Sequence, residues 1–397
     1  MKLGQFIDQR RAFGPSLIGA ALLAMPTVAL AQSGLSSSSP ASPQDGAREV
    51  PHEAESYWSE ERLRSARPKL PAPKAGPEGL PEGSRIITPE LVLPRAARPA
   101  EKGEGSPPTV KTEGGLERRL LPPEESREGR KAENVMPEAT SSFGARFTTS
   151  RVFPVAATTT YPYSAEGKLF FSDPKGGNFV CSASVLRPRI IVTAGHCVAH
   201  PSTNASERYF YTNFLFVPAY NNGAAPFGTW TSRQQWVSNA WYFSDGSVPN
   251  EQDVAMLIAN DSNIGGQTRA LGSVTGWFGY QTNQLANTNV TMLGYPCNLD
   301  NCSEMEFTNA QTFASGGSNT YAFGSAMRGG ASGGGWVQDF GVNPSSNPAV
   351  PLGLNYIVAV TSYGPTATEP KYLGASNLDQ RFLDLLTNAC GANPGNC

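Results

Sequence analysis

Histidine is scarce in this chain: only His52, His196 and His200 occur among its 397 residues. So few imidazoles exclude a histidine-rich metal centre. Cysteine is sparse too, with six residues and no Cys-Xaa-Xaa-Cys spacing. A zinc site would want that spacing or clustered histidines, and only Cys181 and Cys197 have a histidine nearby, so no metal is expected. Beyond residue 30 there is no apolar run long enough to span a bilayer. Net charge is only −2, which gives no reason to expect nucleic acid or an anionic membrane surface as a partner. No internal repeat recurs at a fixed period.

What charge there is lies unevenly. Eleven of the 31 Lys and Arg and fourteen of the 33 Asp and Glu lie from Arg151 onward. The first 150 residues are therefore densely charged, and the remainder is poor in charge. At this length at least two regions are expected. Lys2, Arg10 and Arg11 precede an apolar stretch, Leu17 to Leu30, and Ala29-Leu30-Ala31 supplies small residues for cleavage. This reads as an export signal over residues 1–31. The stretch is shorter than about 18 residues and holds Pro26, which disfavours a membrane anchor. A secreted protein, extracellular or periplasmic and not membrane-bound once mature, is expected.

Residues 32–151 are rich in Pro, Ser, Glu, Arg and Gly, as in Ala66-Arg67-Pro68-Lys69-Leu70-Pro71-Ala72-Pro73. Such a stretch buries too little apolar surface to offset its ordering entropy, so it should be largely disordered by itself. Its position suggests a propeptide that partners the folded region. Short ordered pieces are expected at Arg85–Thr88 and Leu91–Leu93. The six cysteines, Cys181, Cys197, Cys297, Cys302, Cys390 and Cys397, form three sequence-local pairs. In an exported chain these predict disulfides 181–197, 297–302 and 390–397.

From about Phe147 the composition shifts to Gly, Asn, Ser, Thr and aromatics. Strands are predicted at Phe179–Leu186, Ile190–Thr193, Phe214–Val217, Val254–Ile258, Val290–Leu293 and Ile357–Val360. Gly, Asn and Pro clusters separate them, which points to an all-β barrel or sandwich. One terminal helix is predicted. Ser376-Asn377 would cap it, and Leu378, Phe382, Leu385 and Leu386 would form its buried face.

Two segments carry chemistry. Thr193-Ala194-Gly195-His196-Cys197 puts a histidine on a small-residue turn after a strand. A 181–197 disulfide would pin that turn, closing a loop worth about 3 kcal/mol in the chain-entropy account. In Gly329-Gly330-Ala331-Ser332-Gly333-Gly334-Gly335-Trp336, flanking glycines let the Gly330 and Ser332 amides converge on one point, as an oxyanion requires. No histidine follows Ser332, which excludes the α/β-hydrolase order Ser, acid, His. The subtilisin order would need an acid before His196, and Asp173 in Ser172-Asp173-Pro174-Lys175-Gly176 does not suit it. The order His, Asp, Ser remains. Of Asp245, Asp253, Asp261 and Asp300, Asp253 opens the strand Val254–Ile258, where a buried carboxylate can accept from an imidazole.

These blocks, Thr193–Cys197, Asp253-Val254-Ala255-Met256-Leu257 and Gly330-Ala331-Ser332-Gly333-Gly334, resemble the signature blocks of the trypsin/chymotrypsin-like serine peptidases. Gly294-Tyr295-Pro296 and the long pro-region are most similar to the bacterial secreted branch that includes glutamyl endopeptidases. The resemblance covers about residues 152–397. It implies two antiparallel six-stranded β-barrels with a C-terminal helix and a site between the barrels. It further implies a monomeric endopeptidase with catalytic His196, Asp253 and Ser332, an oxyanion hole at Gly330 and Ser332, no cofactor, and protein or peptide substrates. Ser362 would support Asp253, and Thr361, Ser362, Tyr363 and Gly364 would bind substrate. Ala326 stands where trypsin-like enzymes place a pocket-base Asp, so cleavage after Lys or Arg is not expected to dominate. Thr361 stands where glutamate-specific relatives place a His, which counts against that specificity. Ala331 replaces the Asp that commonly pairs with a new terminal amine, so the oxyanion turn must be ordered by its own packing. The rival readings are an inactive peptidase-like binding protein, which normally lacks a triad residue, and an esterase on the same fold.

Overall fold

Six strands of the charge-poor region close on themselves. They are β1 Glu166–Ser172, β2 Asn178–Arg187, β3 Ile190–Thr193, β4 Thr212–Pro218, β5 Trp230–Ser238 and β6 Ala255–Ala259. The computed structural model describes residues 40–41, 51–73, 101–110, 118–122, 139–140, 146–286, 288–314, 319–341, 355–368 and 371–397. All belong to one unit, residues 38–397. The predicted signal and the pieces at 85–88 and 91–93 lie outside the described residues.

Antiparallel pairing runs β1–β2, β2–β3, β3–β6, β6–β5, β5–β4 and back from β4 to β1. The ring has no free edge, which removes a template for unwanted pairing. Leu169, Val185, Ile191, Phe216 and Leu257 share one face of the ring, fill it and are almost completely buried. Burial of each such side chain stabilises the fold by about 1.5–3 kcal/mol.

Six more strands follow: β7 Asn289–Gly294, β8 Glu306–Gln311, β9 Thr320–Gly324, β10 Gly335–Gln338, β11 Tyr356–Tyr363 and β12 Tyr372–Asn377. Their order is β9-β12-β11-β10-β7-β8. The resemblance implied a second closed barrel; among the described residues no ladder joins β8 Glu306–Gln311 directly to β9. The outer edge of β8 pairs with the strand Arg146–Arg151, from Phe147↔Ala310 to Arg151↔Glu306. The outer edge of β9 pairs with Phe313–Ala314. A side-chain bond between Thr308 Oγ1 and Ser325 Oγ, 3.0 Å long, also links β8 to the residue after β9.

The terminal helix, α1 Gln380–Gly391, starts later than its sequence pattern suggests. Asp379 caps it by accepting from the Arg381 amide. Ser376 and Asn377 cannot cap because both are paired in β12. Leu378 is buried ahead of the helix, and Phe382, Leu385 and Leu386 are buried along it, as the spacing predicted. No helix among the described residues is long and apolar enough to cross a membrane. The six cysteines form disulfides 181–197, 297–302 and 390–397, the three pairs expected from their proximity.

Part of the charged amino-terminal region packs on the closed barrel. Helices Pro51–Tyr57 and Glu60–Ser65 place Trp58 and Leu63 in its core. Trp58 donates its indole N–H to the Asn213 carbonyl at 2.7 Å. Burial of Ala54, Trp58 and Leu63 offsets ordering that composition alone would not support.

Candidate active site

Strand register brings the histidine and the acid together. Thr193 at the end of β3 pairs with Ala255 at the start of β6. His196 follows β3 in the tight turn Gly195–Cys197, and Asp253 lies just before β6. The Cys181–Cys197 disulfide ties that turn back to β2. Asp253 is completely buried and accepts three hydrogen bonds. Its Oδ1 accepts from the His196 amide at 2.7 Å. Its Oδ2 lies 2.8 Å from His196 Nδ1 and accepts from Ser362 Oγ at 2.6 Å. Donors on both oxygens compensate the desolvated charge. They also leave His196 Nδ1 as the proton-bearing nitrogen, so that in the neutral ring the lone pair is on Nε2. Nε2 is buried and has no hydrogen-bond partner among the described residues.

Ser332 sits in the turn between β9 and β10, with Gly330 at φ +99° and Gly333 at φ +83°. That turn packs directly on the strands that carry His196. A Cβ at Gly333 would lie 2.0 Å from Thr193 Oγ1 and 2.3 Å from the Ser182 carbonyl, so only glycine fits. Ser182 of β2 holds the turn twice. Its amide donates to the Ser332 carbonyl at 2.7 Å, and its hydroxyl donates to the Gly330 carbonyl at 2.8 Å. The Gly333 amide donates to the Thr361 carbonyl at 2.7 Å. The Gly330 and Ser332 amides donate to no backbone carbonyl among the described residues, whereas Ala331 N–H bonds Arg328.

A cleft opens beside Ser332, lined by Arg328, Gly329, Thr361, Tyr363, Gly364 and Leu373. Thr361 accepts from the Trp336 indole N–H at 2.9 Å, which orients its hydroxyl away from solvent. Ser362 points to the opposite side of β11, against Asp253. Ala326, expected in the substrate pocket, is not among the residues that line the cleft; its amide is held by Thr149 Oγ1 and its carbonyl by Asn298. Arg328 bonds the carbonyls of Pro365 and Thr368, tying down the loop after β11.

Two groups of this site were not singled out from the sequence. One is Ser182. The other is Glu166, completely buried where β1 begins. Glu166 accepts from Ser184 Oγ at 2.5 Å. Burial pushes its carboxyl well above the usual range, only partly offset by Ser184 and the Gly335 amide. The available signal was serine at alternate positions, 182 and 184, of an otherwise apolar strand.

Donor atoms of Cys181, His196 and Cys197 lie within 4.8 Å of one another. They do not make a metal site, because both sulfurs are joined in a disulfide and Nδ1 faces Asp253.

No family model matches the chain. A 147-residue stretch is 24% identical to the extracellular metalloprotease of Bacillus subtilis, covering 36% of this chain and 42% of that protein. A 144-residue stretch is 27% identical to the glutamyl endopeptidase of Bacillus licheniformis, covering 36% of this chain and 39% of that protein. The chain spans about two fifths of the length of these curated relatives. Among solved structures, the thermostable serine protease AL20 from an extremophilic microorganism is similar with a TM-score of 0.49 and 24% identity, over 60% of this chain and all of that one. The protease Anisep from Arthrobacter nicotinovorans gives 0.48 and 26%, over 62% of this chain and all of that one. A Glu endopeptidase gives 0.45 and 16%, over 61% of this chain and 96% of that one.

Proposed function

We propose that this chain is a secreted serine endopeptidase of the trypsin/chymotrypsin-like family, made as a precursor, with His196, Asp253 and Ser332 as its catalytic triad. The observation that carries the reading is the hydrogen-bonded series Ser362–Asp253–His196, fixed by strand register beside the pinned Ser332 turn. In this mechanism Ser332 Oγ attacks the substrate carbonyl carbon while His196 Nε2 takes its proton. Asp253 stabilises the resulting imidazolium through Nδ1–H. The Gly330 and Ser332 amides receive the oxyanion. The tetrahedral species collapses to an acyl-enzyme as His196 gives the proton to the departing amine. Water, deprotonated by the same Nε2, then hydrolyses the ester and releases Ser332. A Ser332–His196 bond that is absent at rest and forms with substrate is ordinary for such sites.

The same reading assigns residues 1–31 to an export signal, 32–151 to the propeptide and 152–397 to the peptidase domain, with the second sheet standing for the second barrel. Two relatives carry names from different chemistries, a metalloprotease and a glutamyl endopeptidase. The donor set at His196 favours the serine mechanism. The cleft supports a P1 preference other than Lys or Arg, since the one charged residue among those lining it is Arg328. The test is digestion of a denatured protein mixture with sequencing of new termini by mass spectrometry. New termini that vanish in Ser332→Ala support the reading. Termini that persist in that variant, or none from the unaltered protein, overturn it.

A further inference from the structure

The cleft beside Ser332 is not empty of protein. Its wall is completed by Pro68, Leu70 and Pro71 of the amino-terminal region. Arg67 and Pro68 pair in parallel with Phe179 and Val180 of β2, and the Lys69 amide donates to the Val180 carbonyl at 3.2 Å. Val180 is two residues from Ser182, whose amide holds the Ser332 carbonyl. At about 3.3 Å per residue, the segment passes roughly 7 Å along the strand from the point where the nucleophile's backbone is tied. It also presses on the oxyanion turn. A Cβ at Gly329 would lie 3.0 Å from Leu70 Cδ2 and from Pro68 Cβ. Beyond the cleft, Ala72 and Pro73 pair with Ser247 and Val248, a few residues before Asp253.

Lys69 is the one side chain of this segment with a built receptor. Its ammonium lies 3.8 Å from Asp173 Oδ2, 4.2 Å from the Phe179 ring centre and 4.6 Å from that of Tyr211. Tyr211 is almost fully buried, and the Tyr209 hydroxyl donates to the same Asp173 oxygen at 2.9 Å. A carboxylate beside two aromatic faces is chemistry for a desolvated cation.

We propose that Asp173, Phe179 and Tyr211, outside the cleft itself, form a receptor for a basic side chain, filled in this chain by Lys69, which latches the segment Arg67–Pro71 over Ser332 and keeps substrate out. This deepens the peptidase reading and rests on it. Trp58 and Leu63, buried in the barrel, raise the local concentration of the latch. Proteins offering Lys or Arg to the same receptor compete for it once the segment is removed.

The test uses labelling of Ser332 by a fluorophosphonate, read on the uncleaved full-length band. Full-length Lys69→Glu places a carboxylate against Asp173 and should label at least about tenfold faster than the unaltered chain. A synthetic peptide of residues 51–73 should restore protection to that variant, and the same peptide with Lys69→Glu should not. Restored protection shows that the variant keeps its fold. Adding Asp173→Ala to the variant should abolish the difference between the two peptides. Equal labelling of unaltered and variant chains, or equal protection by both peptides, overturns the latch while leaving the peptidase reading intact. If no form labels, including chain whose amino-terminal segment has been cut away by limited proteolysis, the peptidase reading fails and the latch with it.

Discussion

Replacing Asp253 by Asn keeps the size of the side chain and changes only what it can accept. Three donors converge on this carboxylate: the His196 amide at 2.7 Å, His196 Nδ1 at 2.8 Å and Ser362 Oγ at 2.6 Å. An amide has one oxygen and one NH2. If its oxygen stays on the His196 amide, its NH2 faces Nδ1 and can be satisfied only if Nδ1 accepts. The ring proton then sits on Nε2, and His196 cannot take a proton from Ser332. If the amide is turned the other way, its NH2 opposes the His196 backbone N–H inside a fully buried site. The first arrangement costs less, so the variant should fold and hold the wrong tautomer. By the analogous substitution in another triad, kcat should fall by about 10⁴. That is about 5.4 kcal/mol of transition-state stabilisation at about 1.36 kcal/mol per decade. The assay is kcat on a peptide substrate, with the melting transition as a control for folding. Turnover within about tenfold of the unaltered protein would refute the argument, as would equal losses from Asp245→Asn or Asp261→Asn. Those two carboxylates already have structural partners, Ser247 and Arg189.

Gly333→Ala should lower activity and stability together, because the new methyl meets Thr193 Oγ1 and the Ser182 carbonyl at φ +83°; overpacking of this kind costs about 1–3 kcal/mol in denaturant unfolding. Glu306 gives a pH signature. Burial first, and then its bond to Asp300, raise its carboxyl from 4.5 to about 9. The native state then binds the proton more tightly than the unfolded chain, so stability falls as pH rises through the window from about 4.5 to 9. Glu306→Gln should flatten that slope in denaturant midpoints taken at pH 5 and pH 8, and an unchanged slope would contradict it. Termini produced by digestion should not be dominated by Lys or Arg at P1, since no carboxylate lines the cleft among the described residues and its one charged lining residue is Arg328; a trypsin-like pattern would refute this.

The sequence was most readable where chemistry is packed into a few consecutive residues. His196 on its small-residue turn, Asp253 at a strand entry and Ser332 among glycines each announce themselves locally, and chain order arranges them. Most of the strand cores were readable for the same reason, as short β-branched runs between breakers. β1 was not, because Glu166 and Lys168 interrupt its apolar pattern although both are buried. The helix start was misplaced because Ser376 and Asn377 look like caps in isolation, and only their long-range pairing with β9 and β11 removes them. The pairing of Arg146–Arg151 with the edge of β8 was not readable, because nothing local in that strand announces its long-range partner. Lys69 lay in a stretch whose composition reads as disorder. Its receptor is assembled from Asp173, Phe179 and Tyr211, more than a hundred residues away in sequence.

The central claim is that Ser332 is a nucleophile activated by His196 and Asp253. Its most direct test is mass spectrometry of the chain, freed of its amino-terminal segment by limited proteolysis, after reaction with a fluorophosphonate. One adduct on Ser332, lost in His196→Ala and slowed in Asp253→Asn, is the predicted result. An adduct on another residue, or labelling of Ser332 that is indifferent to His196, would contradict the account.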